Sequence, residues 1–182
     1  MRPRQPLPRL WLMTDERQGE KLFEAIARLP AGAGIVFRHY SLPEVARRDL
    51  FEQVKAAAPG PVLLAGPAEQ ARAWGADGSH GRGRGMVSTP VHSLAEIRAA
   101  EREGAAFVFL SPAYPTRSHP GARPLGLARF AWLARRTKLP VIALGGMNAV
   151  RGKRLASFGA YGWAGIDAWT ASICNHPRAV GP

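Results

Sequence analysis

Gly145 and Gly146 close an apolar run, Val141-Ile142-Ala143-Leu144, and a glycine pair in that position is suited to holding a phosphate. Without β-carbons their backbone N–H groups can come close to phosphate oxygens, and a helix that follows aims its positive end at the same point. A tight turn would use the same two glycines, and that is the plain alternative. Arg38, Arg82, Arg84, Arg117 and Arg123 follow other apolar runs. Gathered on one side of the molecule, their guanidinium groups would bind an anion bidentately without a metal. For Arg82 and Arg84 the bland reading is a solvated Gly-Arg-Gly-Arg-Gly link. His80 and His92 end neighbouring runs, where a histidine is more often a hydrogen-bonded structural group. His119 carries an imidazole whose charge varies near neutral pH. Asp15 and Asp167 stand where aspartate commonly caps the next helix.

The elements that must position these residues follow from periodicity. Short apolar runs at 10–14, 34–38, 61–65, 77–80, 86–91, 106–111, 140–144 and 162–166 read as strands. Segments 18–29, 42–58, 67–74, 94–103, 125–137 and 149–158 have apolar residues three and four apart and read as helices. This alternation predicts a parallel sheet covered by helices. Ser93 and Glu96 have the spacing of a capping box. Gly75, Gly104 and Gly159 are each followed by alanine and stand where a helix should stop, so one βα unit looks repeated. Only Gly81 to Gly85 separates the fourth and fifth strands, too little for the usual crossover between parallel neighbours. Either the fourth helix is missing or one strand assignment is wrong, and the missing helix is the reading taken.

Composition bounds the rest. The 182 residues suit a single domain, 1–182, and 46% apolar with 21% charged residues is ordinary for a globular chain. The lone Cys174 excludes an internal disulfide and a cysteine-based zinc site, and suits a cytoplasmic location. No run approaches the ~18 apolar residues of a membrane span, so no membrane partner is expected. With 25 Lys and Arg against 13 Asp and Glu the net charge is +12. Such a balance fits nucleic-acid binding, attraction of anionic metabolites or, first among these, the arginine preference of a GC-rich genome. The basic residues are spread along the chain without an aromatic-basic RNA module, so a nucleic-acid partner is not expected. Homo-oligomerisation is left open.

The order of motifs resembles the thiamine phosphate synthase family and its relatives, the thiazole tautomerases. The carrying residues are Leu12-Met13-Thr14-Asp15, Gly75-Ala76-Asp77-Gly78-Ser79-His80, Val91-His92-Ser93-Leu94-Ala95-Glu96, Ser111-Pro112-Ala113-Tyr114-Pro115-Thr116, Pro140-Val141-Ile142-Ala143-Leu144-Gly145-Gly146-Met147 and Phe158-Gly159-Ala160. The resemblance implies a (β/α)₈ TIM-type barrel with its site at the C-terminal mouth, here lacking the helix between strands four and five. It also implies a transferase of thiamine biosynthesis, joining a hydroxymethylpyrimidine diphosphate to a thiazole phosphate with release of pyrophosphate and the help of magnesium.

Several positions depart from the family pattern. Ala65-Gly66 stands where the family has an Asn-Asp pair with a magnesium ligand, and the Gly-Arg link stands where a second aspartate is found. No metal ligand is therefore assigned and no cofactor is expected. At the end of strand two only Arg38 is kept, and Pro90 replaces a serine on strand five. Thr116-Arg117-Ser118-His119 keeps two hydroxyls but exchanges a phosphate-binding lysine for His119. Asp167 falls where a serine meets the thiazole phosphate, and the tautomerase histidine falls on Pro112. The resemblance thus assigns Arg38 and His119 as catalytic residues, with Thr116, Ser118, Arg117, Gly145, Gly146 and Asp167 as the substrate and phosphate contacts. Two functions stand: a divergent synthase, or a non-catalytic barrel that binds a phosphorylated small molecule.

Overall fold

The computed structural model describes residues 6–117, 121 and 123–170. The expectations for Ser118, His119 and Cys174 lie outside the described residues. Eight parallel strands close into a barrel in sequence order: β1 (Leu10–Met13), β2 (Gly34–Phe37), β3 (Val62–Ala65), β4 (Gly78–His80), β5 (Ser88–Val91), β6 (Phe107–Leu110), β7 (Val141–Ala143) and β8 (Gly162–Gly165). The helices are α1 (Lys21–Ala27), α2 (Glu44–Ala57), α3 (Ala68–Ala73), α4 (Leu94–Glu103), α5 (Gly126–Ala134) and α6 (Ala149–Ala156). β2, β3 and β6 are buried at every position, as expected of strands covered on both faces, and this is why they read as unbroken apolar runs. Among the described residues no helix is long and apolar enough to cross a membrane.

The lumen is filled by large residues set against small ones. Trp11 packs on Phe107 and Phe109 at ring separations of 5.2 and 5.7 Å. Room for the indole comes from Gly34, where a methyl group would lie 2.4 Å from the Trp11 ring. Outside the barrel, one apolar cluster joins α1–α3 to β1–β3, and a second joins α4–α6 to β5–β8. Each fully buried large side chain contributes roughly 1.5–3 kcal/mol.

Helix ends follow the predicted punctuation. At Gly75, Gly104 and Gly159 the backbone is left-handed. Each glycine N–H donates to the carbonyl three residues back, and the N–H of the next alanine to the one five back. All three are the closing bonds of a Schellman motif. Ser93 accepts from the N–H of Glu96, but the Glu96 carboxylate accepts from the N–H of His92 rather than Ser93, so the box is shifted by one residue on its return arm.

Residues 81–87 hold no helix and carry the chain from β4 to β5. So short a crossover is feasible because β4 has only three residues, a rise of ~10 Å at ~3.3 Å each, which a few extended residues can retrace. The link is docked on α4: Arg82 lies 3.0 Å from Glu96, and the N–H of Gly83 donates to Glu103 at 3.1 Å. Its cost is a thin seam, with β4 and β5 in register only at His80 and Ser88. The predicted helix 18–29 is also corrected. A 3-10 turn, Glu16–Gln18, precedes α1, and Gly19, at φ 47°, breaks the two apart. Asp15 caps that turn, accepting from the N–H of Arg17, while Gln18 Oε1 accepts from the N–H of Asp15.

Candidate active site

The C-terminal ends of β2, β5, β6, β7 and β8 surround a cavity of about 560 Å³. Arg38 enters from β2 and His92 from β5. The loop after β6 supplies Thr116 and Arg117, Gly145 and Gly146 leave β7, and Asp167 leaves β8. Six of the residues expected at the site, Arg38, Thr116, Arg117, Gly145, Gly146 and Asp167, thus face one volume. Arg82, Arg84 and Arg123 do not line it.

Gly145 and Gly146 have φ of 93° and 60°, and neither could be another residue without collision. A methyl group on Gly145 would lie 2.8 Å from Pro112 Cα, and one on Gly146 only 2.3 Å from the Pro115 carbonyl oxygen. The β6 loop rests directly on them through bonds from the N–H of Ala113 to the Leu144 carbonyl and from that of Tyr114 to the Gly145 carbonyl, at 2.8 and 3.1 Å. Among the described residues no backbone carbonyl accepts from the N–H groups of the two glycines themselves. Tight turn and open donors therefore coexist in the same pair.

The cavity's charges are partly spent inside the protein. Asp15 takes two bonds from the Arg17 guanidinium, at 2.6 and 3.1 Å, and has Arg38 at 3.8 Å. These arginines, Arg17 first, hold its carboxyl below the usual range despite burial. Arg117 meets Asp167 at 3.0 Å, joining the β6 loop to the end of β8. Asp167 is thus an ion-pair partner in the first position of a 3-10 turn and makes no side-chain cap.

The histidines divide by environment. His80 is buried inside the barrel, with Nδ1 2.9 Å from Ser88 Oγ and its ring edge-on to Phe109. Burial, with Arg38 nearby, lowers its pKa to about 4, so it is neutral at physiological pH. His39 is buried on Phe37 and 3.1 Å from Thr14 Oγ1, and burial lowers its pKa too. His92 lines the cavity, with Nδ1 2.8 Å from the Ser111 carbonyl. A carbonyl only accepts, so Nδ1 carries a proton and donates to it.

At the end of β3 stands a cation from α2. Arg47 is buried and donates through Nε to the His39 carbonyl (2.8 Å), through Nη2 to the Ala65 carbonyl (2.7 Å) and through Nη1 to Gln70 Oε1 (3.2 Å). Magnesium requires a near-octahedral set of oxygen ligands. Here the Ala65 carbonyl already serves a guanidinium, and among the described residues no group of three His, Cys, Asp or Glu side chains could hold a metal ion. The residues present do not fit a divalent cation at this strand end.

Arg151 and Arg47 escaped sequence reasoning. Arg151 sits in the first turn of α6, lines the cavity and stacks 4.8 Å from the Tyr114 ring. Nothing but its distance from Gly145-Gly146 would have flagged it. For Arg47 a signal existed: it shares a stripe with Phe51 and Val54, both fully buried, and a cation on a core-facing stripe has to find partners.

The family model described as thiamine monophosphate synthase matches residues 10–169. The chain belongs to the thiamine monophosphate synthase family. Over 82 residues it is 43% identical to the putative thiamine-phosphate synthase 2 of Aquifex aeolicus, covering 45% of this chain and 44% of that protein. Over 83 residues it is 31% identical to the thiamine-phosphate synthase of Pyrococcus furiosus, covering 46% and 40%. The chain thus spans less than half the length of these curated relatives. The solved thiamine phosphate pyrophosphorylase of Pyrococcus furiosus overlays it with a TM-score of 0.73 at 22% identity, over 91% of this chain and 88% of that one. That likeness concerns the fold, and the thiamine monophosphate synthase barrel is the one described above.

Proposed function

We propose that the chain joins a hydroxymethylpyrimidine diphosphate to a thiazole phosphate and releases pyrophosphate. The observation that carries this reading is the cavity itself, where Arg38, Thr116, Arg117, Gly145, Gly146 and Asp167 meet from the ends of β2, β6, β7 and β8. Arg38 and His119 are the catalytic residues of the proposal and, with Thr116 and Ser118, hold the diphosphate. Gly145 and Gly146 hold the thiazole phosphate, with Arg117 and Asp167 framing it. The bond from the pyrimidine methylene carbon to the diphosphate oxygen breaks, and its electron pair leaves with pyrophosphate. The lone pair of the thiazole nitrogen then forms the new C–N bond, and no proton has to move. What the protein supplies is alignment and stabilisation of the departing charge.

A second reading, binding without turnover, draws on a different observation: Arg38 and Arg117 are already engaged by Asp15 and Asp167. Incubation with both precursors, with and without Mg²⁺, separates the two. The synthase reading expects thiamine phosphate. Binding of either precursor with no thiamine phosphate formed under either condition would leave the second reading.

A further inference from the structure

Among the described residues Arg38, Arg117 and Arg151 are the arginines that line the cavity, and they differ in what already holds them. Arg38 has Asp15 at 3.8 Å and Arg117 has Asp167 at 3.0 Å. Among the described residues Arg151 has no carboxylate within ion-pair distance. Its guanidinium is fixed by neutral groups instead: the face of Tyr114 at 4.8 Å and the Gly146 carbonyl. Its backbone is also fixed, because its N–H donates to Asn148 Oδ1 at 2.9 Å at the start of α6. The result is a positive charge, oriented before any ligand arrives, beside two glycine N–H groups that serve no backbone carbonyl among the described residues.

From this we infer that Arg151 is the anchor of the phosphomonoester ligand, binding its phosphate together with the N–H groups of Gly145 and Gly146. A guanidinium presents paired N–H donors that match two oxygens of one phosphate. An arginine without an internal counter-ion gives up no ion pair when that phosphate binds. Arg117, by contrast, must release Asp167 or share it. Leu144, Met147, Ala164 and Ile166 line the same cavity and give the phosphate's organic part an apolar bed, which suits a small, uncharged ring. The inference rests on the proposed function for the identity of that ring and for which of the two anions lies beside the glycine pair. It adds Arg151 to the β7–α6 side of the cavity and leaves Arg38, which follows β2, for the second anion.

The test uses the whole chain with inorganic phosphate as probe, read by calorimetry or by ligand-induced shift in melting temperature. Arg151→Met should weaken phosphate binding by about tenfold or more, the loss expected for a hydrogen bond to a charged group. Arg151→Lys should fall between Arg151→Met and the parent, since it restores the charge but not the paired donors. Circular dichroism of both variants separates a binding loss from unfolding. If Arg151→Met is unstable, Arg151→Lys alone must still bind phosphate at least threefold more weakly than the parent. Phosphate binding unchanged in the variants, or absent from the parent at about 50 mM, some fifty times a dissociation constant of ~1 mM, overturns the inference. Thiamine phosphate synthesis is assayed separately. A parent that binds phosphate through Arg151 but makes no product supports the anchor and sinks the synthase reading. A parent that makes product with Arg151→Met matching it in phosphate affinity does the reverse.

Discussion

Replacing Gly146 by alanine would set a methyl group 2.3 Å from the Pro115 carbonyl oxygen and 3.0 Å from Tyr114 Cβ, on a backbone held at φ 60°. Two costs add. A left-handed conformation costs a residue with a β-carbon roughly 1–2 kcal/mol, and forcing a packed backbone apart costs about 1–3 kcal/mol. The obstacle is a backbone carbonyl, not a side chain that can rotate away, so a total of about 3 kcal/mol is expected. With a urea slope of ~2 kcal/mol per molar for a chain of this size, the unfolding midpoint should fall by roughly 1.5 M. Gly104→Ala is the control: φ is 82°, but nothing lies within 4 Å of the added methyl, so only the conformational cost of about 1–2 kcal/mol applies. Phosphate affinity should drop in Gly146→Ala, because relieving the collision moves the loop that carries Thr116, and it should hold in Gly104→Ala. Equal midpoint shifts in the two variants, with phosphate affinity preserved in both, would refute the claim that the β6 loop rests on the glycine pair.

Other outcomes follow from the same structure. His80 has its pKa lowered to about 4 in the folded protein against an unfolded value of 6.5. The stability it preserves is complete above pH ~6.5 and is lost as pH falls toward 4, by about 3 kcal/mol at ~1.4 kcal/mol per unit; a His80→Gln variant whose stability falls as steeply over that window would rule this out. Since Arg47 holds the Ala65 carbonyl at the end of β3, phosphate binding should be indifferent to EDTA yet weaken with added salt, where screening acts over ~10 Å at 0.1 M; a tenfold gain on adding Mg²⁺ would contradict it. Ser93→Ala removes the side chain that accepts from the N–H of Glu96 and should cost about 1 kcal/mol, read as a lowered melting temperature, and no change there would mean that the Glu96 carboxylate alone holds the start of α4.

The barrel was legible because it is built from local signals. Eight apolar runs, three Gly-Ala helix stops and one link too short for a helix all correspond to observed features. The helix expected at 18–29 failed on Gly19, whose positive φ separates a capped turn from α1 in a way that apolar spacing does not register. At the candidate site, six of the residues expected after strands line one cavity, whereas Arg82, Arg84 and Arg123, expected on the same ground, do not. The partners of those six were not found, since the pairs Arg38 with Asp15 and Arg117 with Asp167 join residues 23 and 50 positions apart. Arg151 and Arg47 reach the site region from helices, one from the first turn of α6 and one from the buried face of α2, and strand logic does not extend to either.

The thin seam between β4 and β5 also says where the chain can be divided. The helices α1–α3 with β1–β3 have an apolar cluster of their own, as do α4–α6 with β5–β8, and the covalent connection between the two halves runs through residues 81–87, with no helix to break. Cleavage within that glycine-rich link severs neither apolar cluster, and Gly34, which accommodates Trp11, stays in the first fragment with it. What the fragments must recover from one another is the β1–β8 ladder, the β4–β5 pairing and the lumen, where Trp11 from one half meets Phe107 and Phe109 from the other. Tryptophan fluorescence would therefore report on reassembly directly. The barrel can be treated as two parts that recognise each other through the lumen and the β1–β8 ladder.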